Sequence, residues 1–424
     1  MIAPRGLRAA ALALLTLLAP VSLVAGGPAF GRTGPPPTPV PVPGGGTSPS
    51  PFPQALHTPA PSGTPPEIHA DSAALADLDT GQMLFEEAGD EERPIASLTK
   101  IMTALLVLRG SDATDVVTVS PDAAVDRRIA GISELGLQEG ERITVGQLLS
   151  ALLLQSANDA AVALAEHLAG SVDAFVQEMN RRAHALGMRR TRFASPNGLD
   201  DTGYSTAGDL VTLTRAAERI GAFRSIVATM VDTIPAPHGS PPRVVQNRNA
   251  LLWLYPGATG VKTGFTSAAG YCLVATAERD GLRLVAVVLG EPGEPFSDAA
   301  ALLNYGFTGF ERRDLIAAGV PLGTIDVQGR PVRVASGRSV RDALVPTGAQ
   351  VRRVLVVSHV AFPPAIGQRV GTVRLTARAV DLPSVPLVVA GVPPPPEAPP
   401  GPWWRRAASS LARAIDVVVD ALLG

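Results

Sequence analysis

Two long apolar runs dominate the middle of the chain and predict buried helices. The first leads from Ser97-Leu98-Thr99-Lys100 into residues 101–108, where apolar side chains cover every face. A helix that is hydrophobic all round belongs inside a domain. The second covers residues 148–165, where two apolar helical stretches are interrupted by a polar cluster at Ser156, Asn158 and Asp159.

Short β-type runs predict strands in two other parts of the chain. Residues 270–277 are strand-like and follow Lys262-Thr263-Gly264. After about residue 310 the pattern changes to short runs such as 332–335 and 354–358, punctuated by Gly and Pro. This pattern predicts a small, mostly antiparallel β domain over residues 311–392.

The two ends of the chain have a different composition. Residues 1–27 have the pattern of a secretory signal peptide, with Arg5 and Arg8 before an apolar stretch and small residues near a possible cleavage site. Residues 28–66 are dense in Pro, Gly, Ser and Thr and predict an extended spacer. Residues 393–402 form a second, Pro-rich linker.

Residues 403–424 show helical periodicity with one apolar and one polar face. Arg413, Asp416 and Asp420 argue against a membrane-spanning helix, which needs about 20 mostly apolar residues. The pattern favours an amphipathic helix at a membrane surface, and a helix that packs on its own domain or on a second chain is the alternative. We therefore expect an exported protein, peripheral on the outer face of the cytoplasmic membrane.

Composition excludes several classes of function. The 424 residues are 46% hydrophobic and 17% charged, so they can bury a sizeable core, and the net charge of -2 gives no reason to expect a nucleic-acid partner. Cys272 is the single cysteine and, in an apolar run, is expected to be a core residue. The six histidines form no cluster, so we expect neither a metal nor another cofactor.

Ser97 and Lys100 have the spacing of a nucleophile and its base. A serine hydroxyl is protonated at neutral pH and needs a base within hydrogen-bond reach. Residues three apart share a helix face, so Lys100 can lie against Ser97. Lysine has an ordinary pKa of about 10.4, so it acts as a base only where burial and a nearby positive charge favour its neutral form. Lys262 is the candidate for that charge.

The other two motifs are ambiguous when each is taken alone. Ser156-Ala157-Asn158 could be a helix-capping loop, and Lys262-Thr263-Gly264 could be an edge strand with an exposed lysine. All three motifs in this order make those simpler interpretations improbable. Together they resemble the S-x-x-K, S-x-N and K-T-G set of penicillin-binding proteins, and they are most similar to the D-alanyl-D-alanine carboxypeptidases. Residues 74–84, 186–188, 193–199, 204–210 and 247–249 also resemble that family.

The resemblance covers residues 67–310, which it identifies as a catalytic domain. It implies an α/β (α+β) penicillin-binding/β-lactamase-like transpeptidase fold, in which an antiparallel sheet is flanked by helices, followed by the small C-terminal β domain. It also implies a serine-type carboxypeptidase that removes the terminal D-alanine from peptidoglycan stem pentapeptides. The expected partners are stem peptides ending in D-Ala-D-Ala, β-lactams as covalent inhibitors, and a membrane surface contacted by the C-terminal helix.

The family's roles are carried over residue by residue. Ser97 resembles the acylated nucleophile, Lys100 its base, and Ser156 the hydroxyl that relays a proton to the leaving group. The expected substrate-binding residues are Asn158, Lys262, Thr263, Gly264 and Phe265. Within this set, Asn158 would hold the substrate amide, Lys262 would orient Ser156, Thr263 would contact the terminal carboxylate, and the N–H groups of Ser97 and Phe265 would bind the oxyanion.

The chain departs from the family pattern at two places, and these departures leave alternatives open. Gly203 stands where relatives often have a histidine, and residues 292–298 lack the arginine associated with the substrate carboxylate. Arg279 and Arg248 are both candidates to replace it. A D,D-endopeptidase or transpeptidase of the same fold and a catalytically degenerate peptidoglycan-binding protein are the alternative functions. The lack of an E-x-x-L-N segment after Asn158 argues against a class A β-lactamase.

Overall fold

The computed structural model describes residues 64–392, apart from residues 125–131, 238, 294 and 379. The described strands are β1 (Ser72–Asp77), β2 (Met83–Glu87), β3 (Val116–Thr118), β4 (Arg142–Thr144), β5 (Val231–Ile234), β6 (Arg243–Gln246), β7 (Ala258–Thr266), β8 (Gly270–Arg279), β9 (Leu282–Glu291), β10 (Phe310–Arg313), β11 (Pro321–Val327), β12 (Arg330–Ser336), β13 (Ala343–Pro346), β14 (Arg352–Val357), β15 (Arg369–Ala377) and β16 (Val380–Gly391). The α-helices are α1 (Lys100–Gly110), α2 (Val145–Ser150), α3 (Asn158–Ala169), α4 (Val172–Leu186), α5 (Ala207–Ala217), α6 (Gly221–Val227), α7 (Leu251–Leu254) and α8 (Pro295–Gly309).

The central sheet is antiparallel, and its five strands lie in the order β2-β1-β9-β8-β7. Strands β8 and β9 are apolar at almost every position because both faces of the sheet are covered. Along β8, Cys272 and Val274 enter the core that contains α1, whereas Leu273 and Ala275 enter the core that contains α8. Cys272 is fully buried, as predicted. Strand β7 lies at the sheet edge, where one row of its backbone groups faces outward.

Both predicted helical runs lie in the first of these cores. Helix α1 buries every residue from Lys100 to Val107, and a turn of 3-10 helix at Ala96–Thr99 precedes it. The second run begins at α2, where the Thr144 and Gln147 side chains form a reciprocal capping box. It continues into one turn of π-helix at Ala151–Gln155 before α3 begins.

The predicted C-terminal β domain is confirmed as a second antiparallel sheet in the order β11-β12-β16-β15-β14. Strands β10 and β13 pair with each other at the junction with α8. The buried Gln82 side chain ties the two parts together, because its Nε2 donates to Leu344 O at 2.5 Å and its Oε1 accepts from Leu344 N at 3.0 Å.

Several sequence predictions fall on residues that the structure does not describe. These are the signal peptide at residues 1–27, nearly all of the spacer at residues 28–66, the linker at residues 393–402 and the amphipathic helix at residues 403–424. Within residues 64–392, none of the described helices combines the length and the hydropathy that crossing a bilayer requires.

Candidate active site

The Lys100 side chain makes three hydrogen bonds at the start of α1. Its Nζ lies 2.7 Å from Ser97 Oγ, 2.8 Å from Asn158 Oδ1 and 2.6 Å from the Asn197 carbonyl oxygen. Lys100 is fully buried, whereas Ser97 is partly exposed. The structure therefore places the predicted nucleophile at the surface of the site and the predicted base beneath it.

The surroundings of Lys100 favour its neutral form. Burial is the largest cause that lowers the pKa of Lys100 well below its ordinary value, and the positive charges of Lys262 and Arg248 lower it further. The carboxylate of Asp159 acts in the opposite direction. A neutral amine at hydrogen-bond distance from a serine oxygen can accept the hydroxyl proton, which is the requirement for a general base.

Ser156 and Asn158 reach the site because the chain changes direction between the π-helical turn and α3. Ser156 adopts the left-handed conformation, with φ of 70°, and is 5% exposed. The next residues are held by hydrogen bonds from Ala157 N to Ala151 O and from Asn158 N to Ser133 O. This turn brings the second predicted motif against the first.

Asp159 fixes the loop that flanks this turn. Its buried carboxylate accepts hydrogen bonds from the backbone N–H groups of Leu135, Gly136 and Leu137 at 2.8 to 3.0 Å, and from Ala160 N at 2.8 Å. Four backbone N–H donors therefore satisfy the two oxygens of this carboxylate. The residue next to Asn158 is therefore a rigid anchor.

Edge strand β7 supplies the third motif. Lys262 is 1% exposed, and burial followed by the charge of Arg248 lowers its pKa to about 7. Its Nζ donates to the Thr263 carbonyl oxygen at 2.9 Å. Within the described residues it makes no hydrogen bond to Ser156, so the expected contact between these two residues is not formed in this state.

Gly264 allows β7 to lie directly against the nucleophile. A Cβ added at Gly264 would lie 3.1 Å from both Ile95 O and Ser97 N, and 3.3 Å from the Ala96 Cβ. The approach is thus too close for a side chain without a shift of the backbone. The backbone of Gly264 therefore lies beside the Ser97 N–H group, and Phe265, the next residue of this edge strand, carries the N–H group that the sequence predicts as the second oxyanion donor.

Phe265 and its cross-strand partner Tyr271 form an exposed aromatic pair beside this edge. Phe265 is 54% and Tyr271 41% exposed, and their ring centroids lie 4.5 Å apart. The Phe265 side chain therefore lies at the rim of the site.

The sequence left the roles of two groups in this site unresolved. One is the Asn197 carbonyl, which is brought to Lys100 by the loop at residues 195–198. In that loop, Gly198 has φ of +79° and a Cβ there would lie 1.9 Å from Ala96 O, so this approach requires glycine. Thr103 Oγ1 donates to Pro196 O at 2.6 Å and holds the loop on α1. The S-P-N-G turn was visible as a family resemblance, but its hydrogen bond was not.

The second is Arg248, one of two arginines that the sequence left open. Its backbone N–H donates to Leu154 O at 3.1 Å, two residues before Ser156, and its positive charge lowers the pKa of both Lys100 and Lys262. Arg279 lies elsewhere: its Nε donates to Pro256 O at 3.1 Å, and its guanidinium stacks on the rings of Tyr255 and Phe307. The structure thus brings only Arg248 to the lysine pair.

Together these groups can perform serine acyl transfer. The Ser97 hydroxyl lies 2.7 Å from a buried amine that can take its proton, which is the arrangement that a serine nucleophile and its base require. No group of three or more potential metal-ligating side chains occurs among the described residues.

Known proteins of similar sequence agree with serine acyl-transfer chemistry at this site. A family model described as D-alanyl-D-alanine carboxypeptidase matches residues 59–293. The chain is 35% identical over 344 residues to the D-alanyl-D-alanine carboxypeptidase DacD of Escherichia coli K12, covering 77% of this chain and 87% of that protein. It is 36% identical over 254 residues to DacF of Bacillus subtilis, covering 58% of this chain and 64% of that protein.

Solved structures of such proteins have the same fold as this chain. The D-alanyl-D-alanine carboxypeptidase DacD from Francisella tularensis superposes with a TM-score of 0.66 at 28% identity, covering 80% of this chain and 95% of the other. Penicillin-binding protein 5 from Haemophilus influenzae superposes with a TM-score of 0.61 at 31% identity, covering 78% and 98%. The predicted fold class is confirmed.

Proposed function

The chain belongs to the D-alanyl-D-alanine carboxypeptidase family, and from this premise we propose that Ser97 is the residue acylated by peptidoglycan stem peptides. The observation that carries the assignment is the hydrogen bond of 2.7 Å between Ser97 Oγ and the fully buried Lys100 Nζ. Among the described residues Lys100 forms no ion pair with a carboxylate, and a buried lysine in that position is costly for the fold, which is typical of a functional site.

The reaction begins when neutral Lys100 takes the proton of Ser97 Oγ, which attacks the carbonyl carbon between the last two D-alanines. The negative charge that develops on the carbonyl oxygen is stabilised by the N–H groups of Ser97 and Phe265. Ser156 gives its hydroxyl proton to the nitrogen of the departing D-alanine and receives in exchange the proton that Lys100 took from Ser97, so the peptide bond breaks and Lys100 is neutral again. Water then attacks the acyl-enzyme ester, which releases the shortened stem peptide and restores Ser97.

The terminal carboxylate of the substrate needs cationic partners in this site. Lys262 and Arg248 supply two positive charges beside the nucleophile, and Thr263 supplies a hydroxyl on the same strand. We assign the carboxylate to this group, with Arg248 in the place of the arginine that residues 292–298 lack. Asn158 Oδ1 already accepts a hydrogen bond from Lys100, so its Nδ2 group is assigned to the substrate amide carbonyl.

Intact-mass spectrometry after incubation with benzylpenicillin tests the nucleophile. We expect one adduct, mapped to the peptide that contains Ser97, and no adduct in Ser97→Ala. Ser225→Ala is the matched control because Ser225 is an exposed serine on α6. A folded wild-type protein without an adduct would favour the degenerate, peptidoglycan-binding alternative.

The adduct does not distinguish hydrolysis from transfer to an amine, so products must be measured as well. A carboxypeptidase releases one D-alanine per stem pentapeptide and leaves the tetrapeptide. Cleavage of crosslinked dimers or formation of new crosslinks under the same conditions would instead assign the endopeptidase or transpeptidase alternative.

The proposed location is the outer face of the cytoplasmic membrane. Its support is the sequence pattern of residues 1–27 and 403–424. Deletion of residues 403–424 should leave penicillin labelling intact and shift the protein from the membrane to the soluble fraction. A truncated protein that stays with the membrane would assign attachment to another segment.

A further inference from the structure

The C-terminal β domain is strongly basic, in contrast to the chain as a whole. Residues 311–392 contain eleven arginines, no lysine and five acidic residues, whereas the full chain has a net charge of -2. The excess positive charge of this domain is unrelated to the catalytic residues, which all precede it. Such an asymmetry indicates an anionic partner for the domain.

The register of the sheet places part of this charge on one solvent-facing surface. Val354 of β14 is directly opposite Arg374 of β15, and Arg352 is directly opposite Thr376. Directly paired residues project from the same face of a sheet. On the other face, Leu355 lies opposite the buried Val373 and packs against the core. The outer face of β14 and β15 therefore alternates basic and apolar side chains.

In the part of the chain that the structure describes, the arginines on this face have no anionic partner. Among the described residues, no carboxylate forms an ion pair with Arg352, Arg369 or Arg374, and all three side chains are exposed. Arg369 is held on the face by its hydrogen bond to Thr372 Oγ1 at 2.9 Å. Strands β14, β15 and β16 contain a single acidic residue, Asp381.

Apolar side chains are exposed beside these guanidinium groups. Val354 is 52% and Val356 38% exposed on this face of the edge strand, and Ile366 is 75% exposed in the loop that follows. Apolar groups left in water next to unpaired cations are typical of surfaces that enter the headgroup region of anionic bilayers.

The chain leaves the described structure at the same end of the sheet. The hydrogen bond from Gly367 N to Val389 O, at 2.8 Å, places the loop with Ile366 next to the end of β16, three residues before Val392. The residues that follow Val392 are those of the Pro-rich linker at 393–402, which joins this end of the sheet to the helix that the sequence predicts at residues 403–424.

We propose that the outer face of β14 and β15, formed by Arg352, Val354, Val356, Arg369 and Arg374 and extended by Ile366, docks on an anionic phospholipid surface. The arginines bind headgroup phosphates, and the valines and Ile366 enter the interface. The face is independent of Ser97 chemistry, so the proposal does not rest on the catalytic assignment.

The test is co-sedimentation of the full chain with vesicles of phosphatidylcholine that contain about one-third phosphatidylglycerol, at the NaCl concentration where half of the wild type sediments. Arg352→Gln/Arg374→Gln should lower the partition coefficient by about 25-fold, since each basic residue near such a surface contributes roughly fivefold. Arg189→Gln/Arg219→Gln is the matched control, because it removes the same charge from exposed positions of the catalytic domain. Penicillin labelling and the melting temperature show that each variant is folded.

A selective loss in the face variant supports the proposal, because the C-terminal segment contributes equally to every protein compared. Equal losses in both variants would overturn it, since net charge alone would then govern binding. Unchanged binding of the face variant would overturn it as well. Loss of binding to isolated peptidoglycan with vesicle binding unchanged would assign the face to a wall polymer instead of lipid.

Discussion

Gly264→Ala tests whether β7 forms part of the oxyanion site. The added methyl group would lie 3.1 Å from Ile95 O and from Ser97 N, distances that must increase by a few tenths of an ångström. Gly264 does not have a positive φ, so alanine fits its backbone conformation. Gly→Ala at such a position usually stabilises a protein slightly through the unfolded state. The variant should therefore fold, with β7 displaced from the nucleophile.

The expected slowing of acylation in Gly264→Ala follows from the size of this displacement. Loss of one oxyanion donor lowers kcat by about 100- to 1000-fold. A displacement of tenths of an ångström lengthens the hydrogen bonds without removing them, so we expect acylation to slow by about 10- to 100-fold, or roughly 1.4 to 2.7 kcal/mol in activation free energy.

The assay is the second-order rate constant of acylation by benzylpenicillin, followed by mass spectrometry, together with D-alanine release from a stem pentapeptide. Gly221→Ala is the matched control, because the nearest atom to its added Cβ is Arg224 Nη2 at 3.8 Å. Acylation of Gly264→Ala within threefold of wild type, at an unchanged melting temperature, would refute the oxyanion role of this strand.

Three further predictions follow from the charges of the site and its sheet. Arg248→Gln should lower kcat/KM for carboxylate-terminated peptides by about 10- to 100-fold, because a charge-assisted hydrogen bond is lost. Arg279→Gln should leave kcat/KM within threefold of wild type. Equal effects of the two substitutions would contradict the assignment of Arg248 to the substrate carboxylate. The pKa of Lys262 is about 7, so the reactive form, with neutral Lys100 and charged Lys262, becomes less populated above that pH. The acylation rate of wild type, measured from pH 5 to 9, should therefore fall above about pH 7. Lys262→Arg stays charged, so its acylation rate should not fall there. Burial and a neighbouring carboxyl group raise the pKa of Glu291 to about 7, so the stability linked to its protonation is complete below the unfolded pKa of about 4.3 and is lost as pH rises through about 7. Glu291→Gln should therefore show a smaller difference in melting temperature between pH 5 and pH 8 than wild type, and an equal difference would show that Glu291 does not titrate there.

The sequence was sufficient to predict those contacts and elements that depend on the spacing of nearby residues. Ser97 and Lys100 are three residues apart in a run that can only be a buried helix start, and the 2.7 Å contact follows from that spacing. The same reasoning predicted the buried strand around Cys272 and the change to β structure after residue 310. In each case a hydrophobic pattern of known period determined the element.

Contacts between distant segments could not be predicted in this way. Ser156 is left-handed because a turn of π-helix precedes it, and no residue type at that position signals such a conformation. The Asn197 carbonyl reaches Lys100 across 97 positions, and backbone carbonyls carry no sequence signal at all. The choice between Arg248 and Arg279 also required tertiary structure, since their positions in the sequence do not show which of them lies near the two lysines.

The positive charges near Lys100 explain, together with its burial, why a lysine can act as the base in this site. Lys100 is buried and is repelled by both Lys262 and Arg248, whereas Lys262 is buried and repelled by Arg248. The carboxylate of Asp159 opposes these effects, but their sum lowers the pKa of Lys100 well below its ordinary value and so favours the neutral amine. The interacting amines titrate as a pair. The lowered pKa of Lys100 thus depends on burial at the start of α1 and on charges from the β7 edge and from the segment before α7, and mispacking of any one of them would raise that pKa toward its ordinary value.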